Sequence, residues 1–423
     1  MFVLILYLIS FLGVMKYAGT IYVVGNQEID PYLNSFDYLE RFLRDVPTTD
    51  PEITMTPEEL IKSKGYPYEK YEVITEDGFI LQLHRIPFGK KRNNTSDVRT
   101  SVYLQHGLLG SSCDFLMNLE NQSLAYILAD INLDVWLGDT RGNKYSRKHR
   151  IYTTDVDEFW DWSIDEIAKY DIPAFINFIL KRANREYVYY VGHSQGSMVG
   201  FVHFSQNPKM NNKIKMFFAL APIAYLKNIE SPIRLFAPLS STLDLITNML
   251  GKKEFLPSPS VIEWMAISIC PRKILLKICS NMLYLVGGPP TANLNESRVP
   301  VYYEHYPAGT SVRNIDHYAQ GVLNDEFRMF DYGTFKNFKL YGTITPPAYD
   351  ISQMTIPTML FWGQKDWLAD PTDVNRLVPL IRKLSGNFQF ENANHWDFVY
   401  GMNAANDYYS IIIKAILIKE KIK

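Results

Sequence analysis

Ser194, in Gly192-His193-Ser194-Gln195-Gly196, carries the side chain of this sequence best set to act as a nucleophile. Residues 187–191 before it are aromatic and β-branched, the composition of a buried strand. Residues 197–205 after it lack proline and carry apolar Met198, Val199, Phe201 and Val202, which predicts a helix. Glycines two before and two after a serine keep bulk away from a tight strand-to-helix turn and leave the hydroxyl exposed. Such a hydroxyl needs a base to take its proton and a carboxylate to hold that base in one tautomer.

Beyond Ser194 and His203 the sequence offers three histidines, His305, His317 and His395. His395 lies in a polar loop, Glu391-Asn392-Ala393-Asn394-His395-Trp396, after the strand-like Phe388-Gln389-Phe390. His305 and His317 fall in an aromatic, irregular stretch and are expected to be structural or surface histidines. For the acid, the strand-like Thr358-Met359-Leu360-Phe361-Trp362 ends in Gly363-Gln364-Lys365-Asp366, which puts Asp366 at a strand's carboxyl end. Asp370 and Asp373 compete with it; Asp370, followed by Pro371, fits better as a helix cap. The expected triad is Ser194, Asp366 and His395.

Acyl transfer also requires backbone N–H groups aimed at the oxygen that turns negative. Gln195, after the nucleophile, supplies one such amide. The strand-like Ser101-Val102-Tyr103-Leu104-Gln105 leads into the loop His106-Gly107-Leu108-Leu109-Gly110, where Leu108 is the expected second donor and His106 a loop brace.

These motifs, in the order Ser, Asp, His, are those of α/β-hydrolases, and together the sequence resembles the acid lipase family of gastric, lysosomal and insect gut lipases. The resemblance runs from about residue 50 to about residue 408. It includes Gly65-Tyr66-Pro67 with Thr75-Glu76-Asp77-Gly78-Phe79-Ile80-Leu81 as an opening hairpin, and Leu104-Gln105-His106-Gly107-Leu108-Leu109 as the oxyanion loop. It extends through Asp134-Val135-Trp136-Leu137-Gly138, Arg141-Gly142-Asn143, Pro307-Ala308-Gly309-Thr310-Ser311, Asp366-Trp367-Leu368-Ala369-Asp370-Pro371 and Asn394-His395-Trp396-Asp397-Phe398. Acid and base stand 29 residues apart, as in the family. Departures are Ser197 where threonine is usual, Asp139-Thr140 before Arg141, and Trp396 between His395 and Asp397.

The resemblance implies an α/β-hydrolase fold: a mostly parallel central sheet flanked by helices, with a largely helical cap and lid inserted over the catalytic face. It also implies lipase activity on neutral lipid esters such as triacylglycerols or sterol esters, at an acid optimum and at an oil–water or membrane interface. It pairs Cys270 with Cys279, which are near enough in sequence to close a short loop, and leaves Cys113 alone.

The elements that must position the triad follow from the pattern. Strands are expected near 102–105, 135–137, 187–191, 216–221, 358–362 and 388–390. Ile172, Phe175, Ile176, Ile179 and Leu180 recur at helical spacing and give one apolar face, with Pro173 at the start of that helix or kinking it. Alternating strands and helices imply a parallel sheet covered on both faces. The alternation stops over 225–349, so the division is a hydrolase core at 50–224 and 350–423 around a cap at 225–349. Within the cap, 255–287 is the expected lid, and Ile233, Leu235, Phe236, Leu239, Leu245, Ile246, Met249 and Leu250 either line an acyl tunnel or form the cap's own core.

With 423 residues, 47% of them apolar, the chain can bury a large core, and a formal charge of −2 gives no reason to expect nucleic acid. Residues 2–14 form an apolar run too short to span a bilayer, the pattern of a signal peptide over 1–19 cut between 18 and 27, with a polar segment at 20–49. No later run reaches about 18 apolar residues, so no transmembrane segment is expected after signal removal. The address is secreted or lysosomal. Behind a signal peptide, Asn93, Asn94, Asn121 and Asn295 head glycosylation triplets, Asn93 and Asn94 overlapping. No metal or organic cofactor is expected, because no His/Cys cluster has ligand spacing. Two rivals stand beside the lipase: an esterase for small soluble esters, and a non-catalytic lipid carrier on the same fold, the latter opposed by the presence of all three triad residues.

Overall fold

The computed structural model describes residues 50–91, 99–239, 253–255, 266–267, 270–271 and 273–421. The expected signal peptide, the 20–49 segment, Asn93, Asn94, Leu245, Ile246, Met249 and Leu250 lie outside these residues, as do the side chains of Phe236 and Leu239 and much of the first half of 255–287.

A hairpin opens the sheet. Strand β1 (Glu69–Ile74) turns at Gly78, whose φ of 102° lies where glycine carries no steric cost, into β2 (Phe79–Ile86). The remaining strands are β3 (Ser101–Gln105), β4 (Asp134–Gly138), β5 (Lys148–His149), β6 (Val188–His193), β7 (Ile214–Leu220), β8 (Glu254–Phe255), β9 (Thr310–Ser311), β10 (Thr358–Gly363) and β11 (Leu384–Phe390). The large sheet runs β1-β2-β4-β3-β6-β7-β10-β11, with β5 paired to β2, and β8 pairs with β9 apart from it. From β4 to β11 every neighbouring pair is parallel; β1, β2 and β5 are antiparallel additions at one edge. Every residue of β3, β4 and β6 is buried, as befits strands covered on both faces. β11, at the far edge, alternates instead between half-buried and exposed, which is why only its last three residues stood out in the sequence.

Four helices matter most for position. Helix α1 (Ile172–Ala183) buries Ile172, Phe175, Ile176, Ile179 and Leu180, the apolar stripe expected from their spacing. A π-turn over Ile167–Asp171 feeds directly into it, so Pro173 sits inside a continuous helical run where the widened turn accommodates its missing N–H. Helix α2 (Gln195–Gln206) leaves β6 and is buried along nearly its whole length. Among the described residues, 221–357 add no strand to the large sheet; they contain α3 (Lys273–Gly287) and α4 (Val312–Asn324). No described helix is long and apolar enough to cross a membrane.

The topology gathers the chemistry. β3 lies between β4 and β6, so the chain reverses direction of travel across the sheet there, and loops at such a switch point part to leave a crevice. Gln105 pairs with Gly192, so the loops after β3 and β6 leave the sheet at one level. Gly363 pairs with Phe390, which does the same for the loops carrying Asp366 and His395.

Candidate active site

Ser194 sits between β6 and α2 with φ 53° and ψ −117°, a left-handed backbone that a residue with a side chain holds at a cost of about 1–3 kcal/mol. Its surroundings offset the strain. Its N–H donates to the Leu220 carbonyl at 2.9 Å, its own carbonyl accepts the Ser197 hydroxyl at 2.6 Å, and that hydroxyl accepts the Ile223 N–H at 3.1 Å. The flanking glycines are required by contact: a Cβ on Gly192 would overlap the backbone of Gly196, and one on Gly196 would overlap the Gln105 carbonyl oxygen.

The structure brings Ser194, His395 and Asp366 together. His395 Nε2 lies 2.9 Å from Ser194 Oγ, and His395 Nδ1 lies 3.0 Å from both carboxylate oxygens of Asp366. A carboxylate only accepts, so Nδ1 carries the hydrogen and Nε2 turns its lone pair to the serine. Asp366 Oδ1 also accepts the N–H groups of Leu368 and Ala369 at 2.9 and 2.8 Å, which fix the carboxylate in place. All three side chains are buried. The competing acids are engaged elsewhere: Asp370 caps the helix Pro371–Leu377 through the Thr372 N–H at 2.7 Å, and Asp373 accepts the backbone and side-chain amides of Asn228, both at 2.8 Å. Of the other histidines, burial takes His305, 3.2 Å from the Tyr145 hydroxyl, down to about 3, and His317 Nε2 donates to the Arg328 carbonyl.

Beside the serine, the Gln195 amide opens α2, where N–H groups have no partner within the helix and the helix dipole favours negative charge. Leu108 lies in a turn closed by Gly110 N–H to Gly107 O at 3.1 Å, and Gly107 approaches so near that a Cβ there would stand 3.1 Å from that of Ser194. His106 braces this loop, its Nδ1 donating to Gly107 O at 2.8 Å while Nε2 accepts the Thr140 N–H at 3.1 Å; burial pushes its pKa below the ordinary imidazole value. Asp139, one of the departures noted above, grips the far side of the loop. It accepts the Ser112 N–H and hydroxyl at 2.7 and 2.9 Å and lies 2.9 Å from His84 Nε2.

Five further residues support the site in roles that the sequence did not assign to them. His193, within the elbow itself, donates from Nε2 to the His395 carbonyl at 3.1 Å, and burial, with His395 beside it, holds it well below the ordinary imidazole range. Asn314, on α4, donates to the Gln195 side-chain oxygen at 2.9 Å. Ala308 N–H donates to Leu109 O at 2.6 Å, so the Pro307-Ala308-Gly309 motif is a strut against the Leu108 loop. Gly287, the last residue of α3, accepts the His395 N–H at 3.1 Å, while Trp396 Nε1 donates to Leu283 O at 2.7 Å. The final turn of the expected lid stretch is therefore bonded to the His395 loop.

Cys270 and Cys279 form a disulfide, and Cys113 is free and buried. Asn121 is exposed, whereas the Asn295 side chain is buried and donates to Asn118 and Gln122. Leu235, expected in a tunnel or a cap core, is 72% exposed and serves in neither; Ile233 borders the catalytic cavity. That cavity, about 360 Å³, opens over Ser194 and His395 and is walled by apolar side chains including Ile223, Leu226, Ile229, Ile315, Ala319 and Val322. Among the described residues no group of His, Cys, Asp and Glu is arranged to hold a metal ion.

Fold and site define a class, the α/β-hydrolases, and the sequence agrees: residues 57–119 match the partial alpha/beta-hydrolase lipase region and residues 100–401 the alpha/beta hydrolase fold. The chain is 45% identical over 365 residues to lysosomal acid lipase/cholesteryl ester hydrolase of Homo sapiens, covering 86% of this chain and 91% of that protein. It is 44% identical to gastric triacylglycerol lipase of Rattus norvegicus, covering 86% and 92%, and 45% identical to lipase member M of Homo sapiens, covering 86% of each. The chain belongs to the acid lipase family, enzymes that hydrolyse carboxylic esters and are lysosomal or secreted.

Proposed function

We propose that this enzyme hydrolyses neutral lipid esters, triacylglycerols and sterol esters, through an acyl-enzyme on Ser194. The observation that carries the reading is the hydrogen-bonded line Ser194–His395–Asp366 at the floor of an apolar cavity. His395 Nε2 takes the Ser194 proton as Oγ attacks the ester carbonyl. The amides of Leu108 and Gln195 hold the oxyanion, which is worth several kcal/mol in a site closed to water. His395 then gives its proton to the leaving alcohol, and a water, deprotonated by the same nitrogen, releases the fatty acid. Asp366 keeps Nδ1 protonated and offsets the imidazolium charge. The apolar walls suit an acyl chain, whose burial contributes about 0.8 kcal/mol per methylene. Residues 225–349 act as the cap over the core of 50–224 and 350–423, with 255–287 supplying the lid at an oil–water or membrane interface and the Cys270–Cys279 bridge fastening it. Asn121 is the exposed glycan acceptor among the described triplets.

The test is fatty-acid release from emulsified triolein and cholesteryl oleate at pH 5 and pH 7.5, by the native enzyme and Ser194→Ala. Release by the native enzyme alone, stronger at pH 5, supports the reading. Release by both proteins, or by neither on these and on short soluble esters, overturns it.

A further inference from the structure

Asp114 is a buried acid at the catalytic cavity that the mechanism above does not use. It lies in the 3-10 turn Ser112–Phe115, immediately after the loop that carries Leu108, and is 4% exposed. Its side chain borders the same cavity as Gly107, Leu108, Ser194 and His395. The carboxyl packs so tightly on the loop that a Cβ on Gly110 would overlap Oδ2. On its other side the Tyr400 hydroxyl donates to Oδ1 at 3.3 Å, and Tyr400 stacks on Trp396, next to His395. Asp114 thus joins the oxyanion loop to the segment that carries the base.

Its charged neighbourhood is unfavourable to a carboxylate. The titratable groups that face it are Cys113 from its own turn, Asp139 from the end of β4, Tyr306 from the loop after the helix Val299–His305, and Tyr400 from the helix Asp397–Tyr400. His193 and His395 share the cavity. None of the ion pairs among the described residues involves Asp114. Burial, with Asp139 adding to it, pushes the Asp114 carboxyl up to about 7, against the pull of the Ser111 and Gly107 amides and the Tyr400 hydroxyl.

We propose that Asp114 is a positioning residue of the oxyanion loop that serves as a neutral carboxylic acid, and that its loss of a proton shuts the reaction at its alkaline end. The inference rests on the ester-hydrolase reading of Ser194. An ionised Asp114 sets a fixed negative charge against the loop that must stabilise a second one, in a cavity too apolar to screen it. The neutral acid sets none. The fall in rate at the alkaline end is then a property of one side chain beside the oxyanion loop.

The experiment is kcat/KM on p-nitrophenyl butyrate, a soluble ester that removes interfacial effects, from pH 4.5 to pH 9. Each protein is normalised to its own rate at pH 5, so the profile's shape is read rather than its height. The native enzyme should fall about tenfold per pH unit above pH 7, as one ionisation dictates. Asp114→Asn, which cannot ionise, should lose that fall. Tyr400→Phe removes a donor that favours the carboxylate, so its fall should begin at higher pH, and it keeps the question open to test if the first variant does not fold. A fall that stays in place in Asp114→Asn or in Tyr400→Phe overturns the proposal. So does a fall abolished by Asp397→Asn, a further buried acid, in the segment that carries His395. Ser194→Ala active on the same ester would instead defeat the underlying reading of the site.

Discussion

Asn314 Nδ2 donates to the Gln195 side-chain oxygen at 2.9 Å, which ties α4 to the residue that follows Ser194. The same amide reaches the Thr310 hydroxyl at 2.9 Å, and the Ser311 hydroxyl accepts the Asn314 N–H at 3.0 Å. Helix α4 therefore holds the start of α2, and with it the Gln195 amide, in place. Asn314→Ala should lower kcat by up to about 10²-fold with little change in KM, since small displacements at the reacting centre act on the transition state. Steady-state rates on a soluble ester check this; a change confined to KM would contradict it.

Asp366→Asn preserves size but offers Nδ1 a donor where it needs an acceptor. His395 then prefers the tautomer with its hydrogen on Nε2, and its lone pair turns away from Ser194. A fall in kcat of about 10⁴-fold is expected, with the fold unchanged by circular dichroism.

Gly196→Ala would drive a Cβ into the Gln105 carbonyl oxygen, backbone that cannot rotate away. The elbow or β3 must shift, at a cost of roughly 1–3 kcal/mol or more. A lower Tm together with loss of activity is the expected outcome, and a variant of native Tm and native rate would show that the elbow is looser than these contacts imply.

The Cys270–Cys279 bridge closes a loop of sequence separation 9, so its constraint on the unfolded chain is modest. Replacing both cysteines by serine should cost about 2–3 kcal/mol, read as a fall in the urea midpoint. If 255–287 serves as the lid, activity on emulsions should fall more than activity on soluble esters.

Burial raises the Asp397 carboxyl to about 6, so in the folded enzyme it keeps a proton that the unfolded chain has released. The stability this contributes is fully present below the unfolded value near 3.8 and is lost as pH rises through about 6. Asp397→Asn removes the dependence. The Tm of the variant minus that of the native enzyme should therefore increase from pH 4 to pH 7, and a flat difference would rule the effect out.

The sequence by itself determined the local units and the chemistry they carry. A fully buried strand such as β6 must be largely apolar, α1 must repeat its apolar face every third or fourth residue, and the elbow admits only glycine two residues to either side of Ser194, so each left a periodic or compositional mark. Asp366 and His395 were legible because each follows a strand end by a few residues. Tertiary structure alone decided the rest. The pairing of Gln105 with Gly192 and of Gly363 with Phe390 sets four loops at one edge, and register between distant strands leaves no trace in either strand alone. The tie from Asn314 to Gln195, the His193 brace under His395 and the burial of Asp114 are single side chains without periodicity. Their roles arise only when segments more than a hundred residues apart are packed into contact, because a hydrogen bond or a desolvated charge depends on what the fold brings to it and not on the neighbours in the chain.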